Sequence, residues 1–381
     1  MSIAERTMNA STQSASMVVM TDCGGLEVID RWADKWRKLC HDAVNEQPFY
    51  RPEWIRAHIR AFTPQAKIFL LTVTCEGQLL LVLPLLQERS VFDGVPLRTL
   101  RAPVNSHALR FDAVRHASAE GEAAVLAAWN HLRQRRDWQL LSLPQVPEGA
   151  VLSDLVRAAS QSGFYVGELP MEQNPYVPLP FDPAALNTLP INARLRSKLR
   201  HISRELQSQG GELKLSRVEN AAPSVLQRFY DLEASGWKGE EKSAIACNAD
   251  TRQFYDEIAV EAARFGYLCI YSLELNGELL ASHFGLSLKG RYYSPKIAHD
   301  EKFPQYAPGH LIVREILQDC AARHIPEYDI TGVVDDWKSK WTSQSRTKFK
   351  YFIFRPGFPA GLAYAIRFRM RPLVKKLLQR A

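Results

Sequence analysis

The 381-residue sequence has only six cysteines, Cys23, Cys40, Cys75, Cys247, Cys269 and Cys320, and none stands in a CxxC or cysteine–histidine cluster. That spacing excludes a zinc ribbon or a thiol–disulfide motif, and no structural metal is expected. Cys75, Cys269 and Cys320 lie inside apolar runs and read as buried, reduced thiols of a cytoplasmic protein. No uninterrupted apolar run reaches the roughly 18–20 residues that a membrane-spanning helix requires. The first twenty residues lack an apolar stretch behind a basic one, so they read as a disordered lead-in and not as a secretory signal. Acidic residues are missing from Trp337 to Ala381, where twelve Lys or Arg accumulate; the rest of the chain holds 36 basic and 41 acidic residues. The net charge of +7 therefore belongs to the C-terminal end. Such a block favours anionic partners: phosphate groups, nucleic acid or an acidic membrane face.

What is present describes a globular chain. Apolar residues make up 46% and charged residues 23% of a length that suits two domains, each with its own core. Periodicity predicts short helices over 25–41 and 52–62, then strands over 67–75, 78–88 and 97–100. Helices over 122–133 and 152–162 flank a strand at 138–143, and strands at 164–169 and 176–179 close the first half. A basic helix over 192–209 carries Arg194, Arg196, Lys198, Arg200 and Arg204. A strand at 212–217 and helices at 222–237 and 251–265 follow. Strands at 267–275, 278–288 and 291–298, a helix at 310–323, a strand at 328–331, a helix near 335–341 and a strand at 348–354 complete the pattern. This alternation is that of a mixed α/β sheet protein. Gly77-Gln-Leu79-Leu80 and Gly277-Glu-Leu279-Leu280 form the same turn and strand start 200 residues apart, a faint echo of duplication.

The segment from Glu233 to Trp341 carries the chemistry. It contains Glu233-Ala-Ser-Gly-Trp237-Lys238, Tyr293-Ser-Pro-Lys296-Ile-Ala-His299-Asp300, Gln305-Tyr306-Ala307-Pro308-Gly309-His310, Asp329-Ile-Thr-Gly332 and Trp337-Lys338-Ser-Lys340-Trp341. A strand, a glycine-containing loop and an apolar helix succeed one another, placing backbone N–H groups at a helix start where an anion can be held. This segment resembles the acyl-CoA-dependent N-acetyltransferase (GNAT) superfamily, in particular its CelD/BcsL-type branch. The superfamily's usual Gln/Arg-x-x-Gly-x-Gly/Ala loop reads Gln305-x-x-Pro308-Gly309-His310 here. It departs at Pro308, which has no N–H, and at His310, which is not small; a Pro-Gly pair is normal for that branch.

The resemblance implies tandem GNAT-like domains: a lead-in over 1–24, a degenerate domain over 25–186, an acyltransferase domain over 187–357 and a basic amphipathic helix over 358–381. It implies an acyl donor, acetyl-CoA or a longer acyl-CoA, held by Gln305, Tyr306, Ala307, Gly309 and His310. Acyl transfer to an amine needs a deprotonated amine, a polarised thioester carbonyl and a proton for the leaving thiolate. Glu233 and Asp300 are the expected base or amine-orienting groups, His299 a proton relay and Tyr293 the donor to the thiolate. Trp237, Lys238, Lys296, Asp329, Lys338 and Trp341 are the expected substrate-binding residues.

Each has a plainer reading. Glu233 fits a surface carboxylate at a helix end, Asp300 a turn cap, and His299 a solvent-facing residue. Trp337 and Trp341, four apart, fit core packing as well as a ligand platform. His283 in its apolar strand reads as a satisfied core histidine. The expected acceptor is a small amine such as an amino sugar or another polysaccharide precursor. DNA is not an expected partner and tRNA is disfavoured; the basic tail suits either peripheral contact with the inner membrane face or docking on the protein itself. Two alternatives stand beside this: a Fem-type transferase using aminoacyl-tRNA, and a non-catalytic partner of a polysaccharide synthase.

Overall fold

The computed structural model describes residues 16–180, 189 and 191–372. In chain order the first half holds β1 (Met17–Gly24), α1 (Glu27–His41), α2 (Pro52–Phe62), β2 (Lys67–Cys75), β3 (Gln78–Phe92), β4 (Val95–Arg101), β5 (Val114–Arg115), α3 (Ala119–Gln134), β6 (Leu140–Pro147), α4 (Val151–Gln161), β7 (Tyr165–Pro170) and β8 (Asn174–Pro178). The second half holds α5 (Ala193–Ser208), β9 (Leu213–Val218), α6 (Pro223–Ala234), α7 (Trp237–Glu240), α8 (Ala249–Arg264), β10 (Leu268–Leu275), β11 (Glu278–Leu288), β12 (Arg291–His299), α9 (Pro308–Ala322), β13 (Glu327–Asp329), β14 (Ser345–Arg346), β15 (Lys348–Phe354) and α10 (Ala360–Ala365). The expected mixed α/β class is observed, as two mixed sheets with helices packed on both.

The two sheets repeat one plan. β1 to β4 run antiparallel in sequence order and β6 joins β4 in parallel; β9 to β12 do the same, and β13 joins β12 in parallel. Both β2–β3 and β10–β11 close on a two-residue turn whose central residues have positive φ, Glu76-Gly77 and Asn276-Gly277. This is the turn that matches strand twist. Each hairpin then slips register at the same place, after Val73 and after Leu273. The echo seen in four residues thus extends to turn geometry and a bulge 200 residues apart.

The halves are not divided where the chain pattern divides them. β15, from the C-terminal end, lies between β6 and β7 in the first sheet, whereas β8, from the first half, lies between β13 and β14 in the second. Each sheet is completed by a strand of the other half, so the boundary expected at 186/187 separates sequence and not structure. An apolar core continues across the interface: Trp54 meets Phe49 at 5.0 Å and Phe254 at 5.1 Å, edge to face, and Phe49 meets Tyr293 at 5.3 Å.

Four local expectations are corrected. Residues 17–24 of the expected lead-in form β1, held by antiparallel pairing with β2. The helix expected over 222–237 breaks at Ser235-Gly236 into α6 and α7, and that near 335–341 is only a single tight turn, Lys338–Lys340. The tail folds onto the protein itself as far as Arg371. Tyr364 stacks on Tyr165 at 5.2 Å, Phe368 packs over Gly167, where a Cβ would meet its ring, and Arg371 pairs with Asp93 at 3.0 Å. The apolar positions from Leu373 onward lie outside the described residues. No helix among the described residues is long and apolar enough to cross a membrane.

Candidate active site

β12 and β13 pair only over Arg291–Tyr293 and Glu327–Asp329, then part. Thr331 Oγ1 spans the start of the gap by donating to the Ser294 carbonyl at 2.6 Å. Two cavities open along this wedge. The inner one, about 360 Å³, is walled by His107, Tyr255, His283, Ser294, Lys296 and Tyr328. The outer one, about 430 Å³, is walled by Glu233, Trp237, His299 and Glu301. They share Lys238, Ile297, Trp337 and Lys338 as a common wall.

α9 starts beside the outer cavity. Gln305 and Tyr306 form a tight turn, and Ala307 adopts a left-handed φ of +46° as the residue before the helix. The Ala307 carbonyl accepts from the N–H groups of both His310 and Leu311, and Pro308 has none to give. Gly309 is left as the uncommitted donor of the first turn. A side chain at Gly309 would point to His299, whose Nδ1 lies 3.5 Å from an ideal Cβ. The first turn contains no acidic residue. Lys340 and Lys198 lie close enough, together with burial as the larger cause, to push His310 down to about 4. The corresponding helix of the first half, α3, carries Glu120 and Glu122 in its first turn and is capped by Ser118 Oγ. That start repels an anion; the α9 start carries no such charge.

Glu233, on the last turn of α6, is 2% exposed. One carboxylate oxygen accepts from Lys238 Nζ at 3.1 Å and the other from the Ile245 backbone N–H at 2.8 Å. Lys238 also donates to the Ile297 carbonyl at 2.7 Å, which ties α7 to the wedge edge of β12. Lys296, two strand positions after Ser294, lies 5.6 Å over the Tyr255 ring. Burial lowers its pKa, the Glu233 charge opposes that and the Lys238 charge adds to it. His299 is likewise lowered by burial and is held neutral near pH 7.

Of the residues expected at the site, Glu233, Trp237, Lys238, Lys296, His299 and Lys338 meet at the two cavities. Asp329 does not: it is fully buried, ion-paired with Arg110 of the first half, and accepts from Asn174 Nδ2 at 2.9 Å and the Thr331 N–H at 3.0 Å. It anchors the strand end and lines neither cavity. Tyr293 is fully buried against Phe49, and burial pushes its hydroxyl up to about 12. It faces the inter-half core and lines neither cavity, so the structure does not bring it to the other residues expected at the site. Trp341 is 1% exposed and donates its indole N–H to His310 Nδ1 at 3.1 Å, while Trp337 stacks on the same imidazole at 5.1 Å. Trp341 is thus a support for His310 and not a ligand platform. Asp300 accepts from the Lys302 N–H at 2.9 Å as a turn cap and lines neither cavity.

The sequence reading missed the contribution of the first half. The loop between β4 and β5 brings Ser106, His107 and Leu109 to the inner cavity. Arg110 fixes that loop to Asp329, and the Leu109 carbonyl accepts from Lys348 Nζ at 3.4 Å. His107 is stacked on Phe62 at 5.4 Å and pushed by burial down to about 4. Nothing local distinguishes it from other loop histidines. Tyr255 was equally hidden, an aromatic at a helical core position.

Residues 193–339 match the acetyltransferase (GNAT) domain family, and this domain makes the chain an acyltransferase by class. Among solved structures, the chain is similar to FemX, at 12% identity and a TM-score of 0.56 over 84% of this chain and 95% of that one. It is similar to the C-terminal domain of a putative lysylphosphatidylglycerol synthetase from Agrobacterium fabrum, at 10% identity and a TM-score of 0.52, covering 89% and 95%. With L-PGS from Bacillus licheniformis the values are 10%, 0.50, 88% and 96%. At these identities the likeness is one of fold. No curated protein matches the chain.

Proposed function

We propose that the chain transfers an acyl group from acyl-CoA to the amine of a small acceptor, an amino sugar or another polysaccharide precursor, on the cytoplasmic side. The observation that carries this is the pair of cavities meeting at the β12–β13 wedge, the outer one walled by His299, which lies against Gly309 in the acid-free first turn of α9. The outer cavity is the donor side in this reading. Gly309 N–H, Lys198 and Lys340 are the groups suited to a pyrophosphate, and the edge of β12 to an extended pantetheine arm. The coenzyme supplies an activated thioester. The chain's residues supply orientation and a place for the proton. The amine nitrogen bonds to the thioester carbonyl carbon; His299, neutral and facing the outer cavity, takes the proton the nitrogen loses, and the C–S bond breaks with that proton passed to the departing thiolate. Glu233 acts through Lys238, since both of its oxygens are committed, and holds that ammonium at the wall between donor and acceptor. This places the acceptor in the inner cavity, between the two halves.

Calorimetric titration of the purified protein with acetyl-CoA and longer acyl-CoAs tests the reading, with Gly309→Trp as control. Saturable binding lost in the control supports it; a folded protein that binds no acyl-CoA sinks it. A second reading, transfer from aminoacyl-tRNA, is favoured by the likeness of fold to FemX and by the exposed Arg194, Lys198, Arg200 and Arg204 on α5. Loss of binding to charged tRNA on reversing those four charges would be its signature.

A further inference from the structure

We propose that the inner cavity is an anion subsite, and that the acceptor amine carries a carboxylate or phosphate group held by Lys296. This rests on placing the acceptor in the inner cavity, and it narrows the acceptor from any amine to an anionic one.

Three observations lead there. The Lys296 ammonium is half-buried in the cavity wall with no hydrogen bond and no carboxylate within ion-pair distance among the described residues; its nearest marked interaction is the Tyr255 ring at 5.6 Å. A desolvated, unpaired ammonium destabilises a fold unless something supplies the counter-charge. The nearest acid, Glu233, has one oxygen on Lys238 and the other on the Ile245 N–H, so it is already used.

His283 gives the second observation. It is 1% exposed, its Nδ1 is 3.0 Å from Ser294 Oγ, and its Nε2 has no partner although it belongs to the cavity wall. Buried polar atoms are nearly always satisfied, so an orphan beside an open volume marks where a ligand atom belongs. The third observation is the charge around the space. Lys238, Lys296 and Lys338 line it, and no aspartate or glutamate does. The volume of about 360 Å³ accommodates on the order of a dozen heavy atoms at liquid density. That suits an amino acid or most of a phosphorylated sugar ring, and a nucleotide would have to lie outside it.

The anion has two chemical sources, and one experiment separates them. The protein, without any acyl donor, is titrated calorimetrically with glucosamine 6-phosphate, glucosamine, glutamate and inorganic phosphate. Wild type is compared with Lys296→Met and His283→Leu, and each variant is checked by its melting temperature. The expected result is binding of glucosamine 6-phosphate or of glutamate at least about tenfold tighter than glucosamine. Preference for the first assigns a phosphate, for the second a carboxylate. Lys296→Met is expected to lose that preference and to melt higher than wild type, because it removes an unpaired buried charge. A residue with a merely structural role would lower the melting temperature. Equal affinity for glucosamine, no binding of any anionic probe, or unchanged binding in Lys296→Met overturns the proposal. Acyl-CoA titrated separately should bind Lys296→Met as it binds wild type. Failure of that arm alone, in wild type as well, would refute the donor reading and leave the subsite standing.

Discussion

Replacing Arg110 with methionine should be among the most damaging single changes outside the cavities. Arg110 and Asp329 have side chains 3% and 0% exposed, and they join a first-half loop to the strand end where the wedge begins. Removing the guanidinium leaves Asp329 with Asn174, the Thr331 N–H and a more distant Arg346 at 3.7 Å, which do not offset a buried charge. Breaking one side of such a pair costs about 3–5 kcal/mol. Adding Asp329→Asn removes the stranded charge but keeps an oxygen for Asn174 and Thr331, and should recover about half of the loss. The assay is urea unfolding of wild type, both single variants and the double variant, with the slope m compared to confirm a common unfolded state. An Arg110→Met cost under about 1 kcal/mol, or strictly additive effects in the double variant, would refute a coupled buried pair. The same variant frees the loop that presents His107, so acceptor binding should weaken even where the protein remains folded.

Glu233→Gln keeps the bond from Ile245 but takes the counter-charge from Lys238, leaving it only the Ile297 carbonyl beside Lys296; stability should fall by about 1–3 kcal/mol, measured by thermal melting. Acid should destabilise the protein between pH 6.5 and 4. His58, His107 and His310 lie near 4 when folded, each lowered mainly by burial, so in this window the unfolded chain binds the protons that the folded one refuses. Asp112, raised by burial to about 6, acts in the opposite direction below that pH; His283, lowered by burial to about 3, adds to the first three, and one group against four should not reverse the trend in the unfolding midpoint. Gly285→Ala should cost about 2 kcal/mol or more by the same melt, because its Cβ would fall 2.0 Å from the hydroxyl of fully buried Tyr292. Finally, polypeptides 1–186 and 187–381 expressed separately should be insoluble alone, and the intact chain should unfold in one transition; two transitions in calorimetry would contradict the strand exchange.

Individual elements were legible in the sequence because their signals are local. The ranges 52–62, 67–75, 278–288 and 348–354 coincide with observed elements, each set by clear periodicity and by turns or prolines at its ends. The partners of those elements were not legible. β8 and β15 read as apolar strands, and nothing in an apolar strand states which sheet will receive it. The helix expected over 335–341 failed because the spacing of Trp337 and Trp341 has another cause: both grip His310 from a single tight turn. At the site, the unusual lysine in an apolar strand pointed to Lys296, and the pairing of Glu233 with Lys238 five residues later lay within one short segment. The burial of Asp329 and Tyr293 was not legible because their partners, Arg110 and Phe49, lie in the other half, at separations where pattern reading has no reach.

The placement of β15 also sets a timetable. The first sheet stays open between β6 and β7 until residues 348–354 have been made. A growing chain must therefore carry two unpaired strand edges, flanked by a large apolar core, from the making of β7 until that of β15. The second sheet has its guest strand waiting from the outset, since β8 precedes it in the chain. On the ribosome, then, the half bearing the chemistry can assemble first, and the half that came out earlier must be finished last.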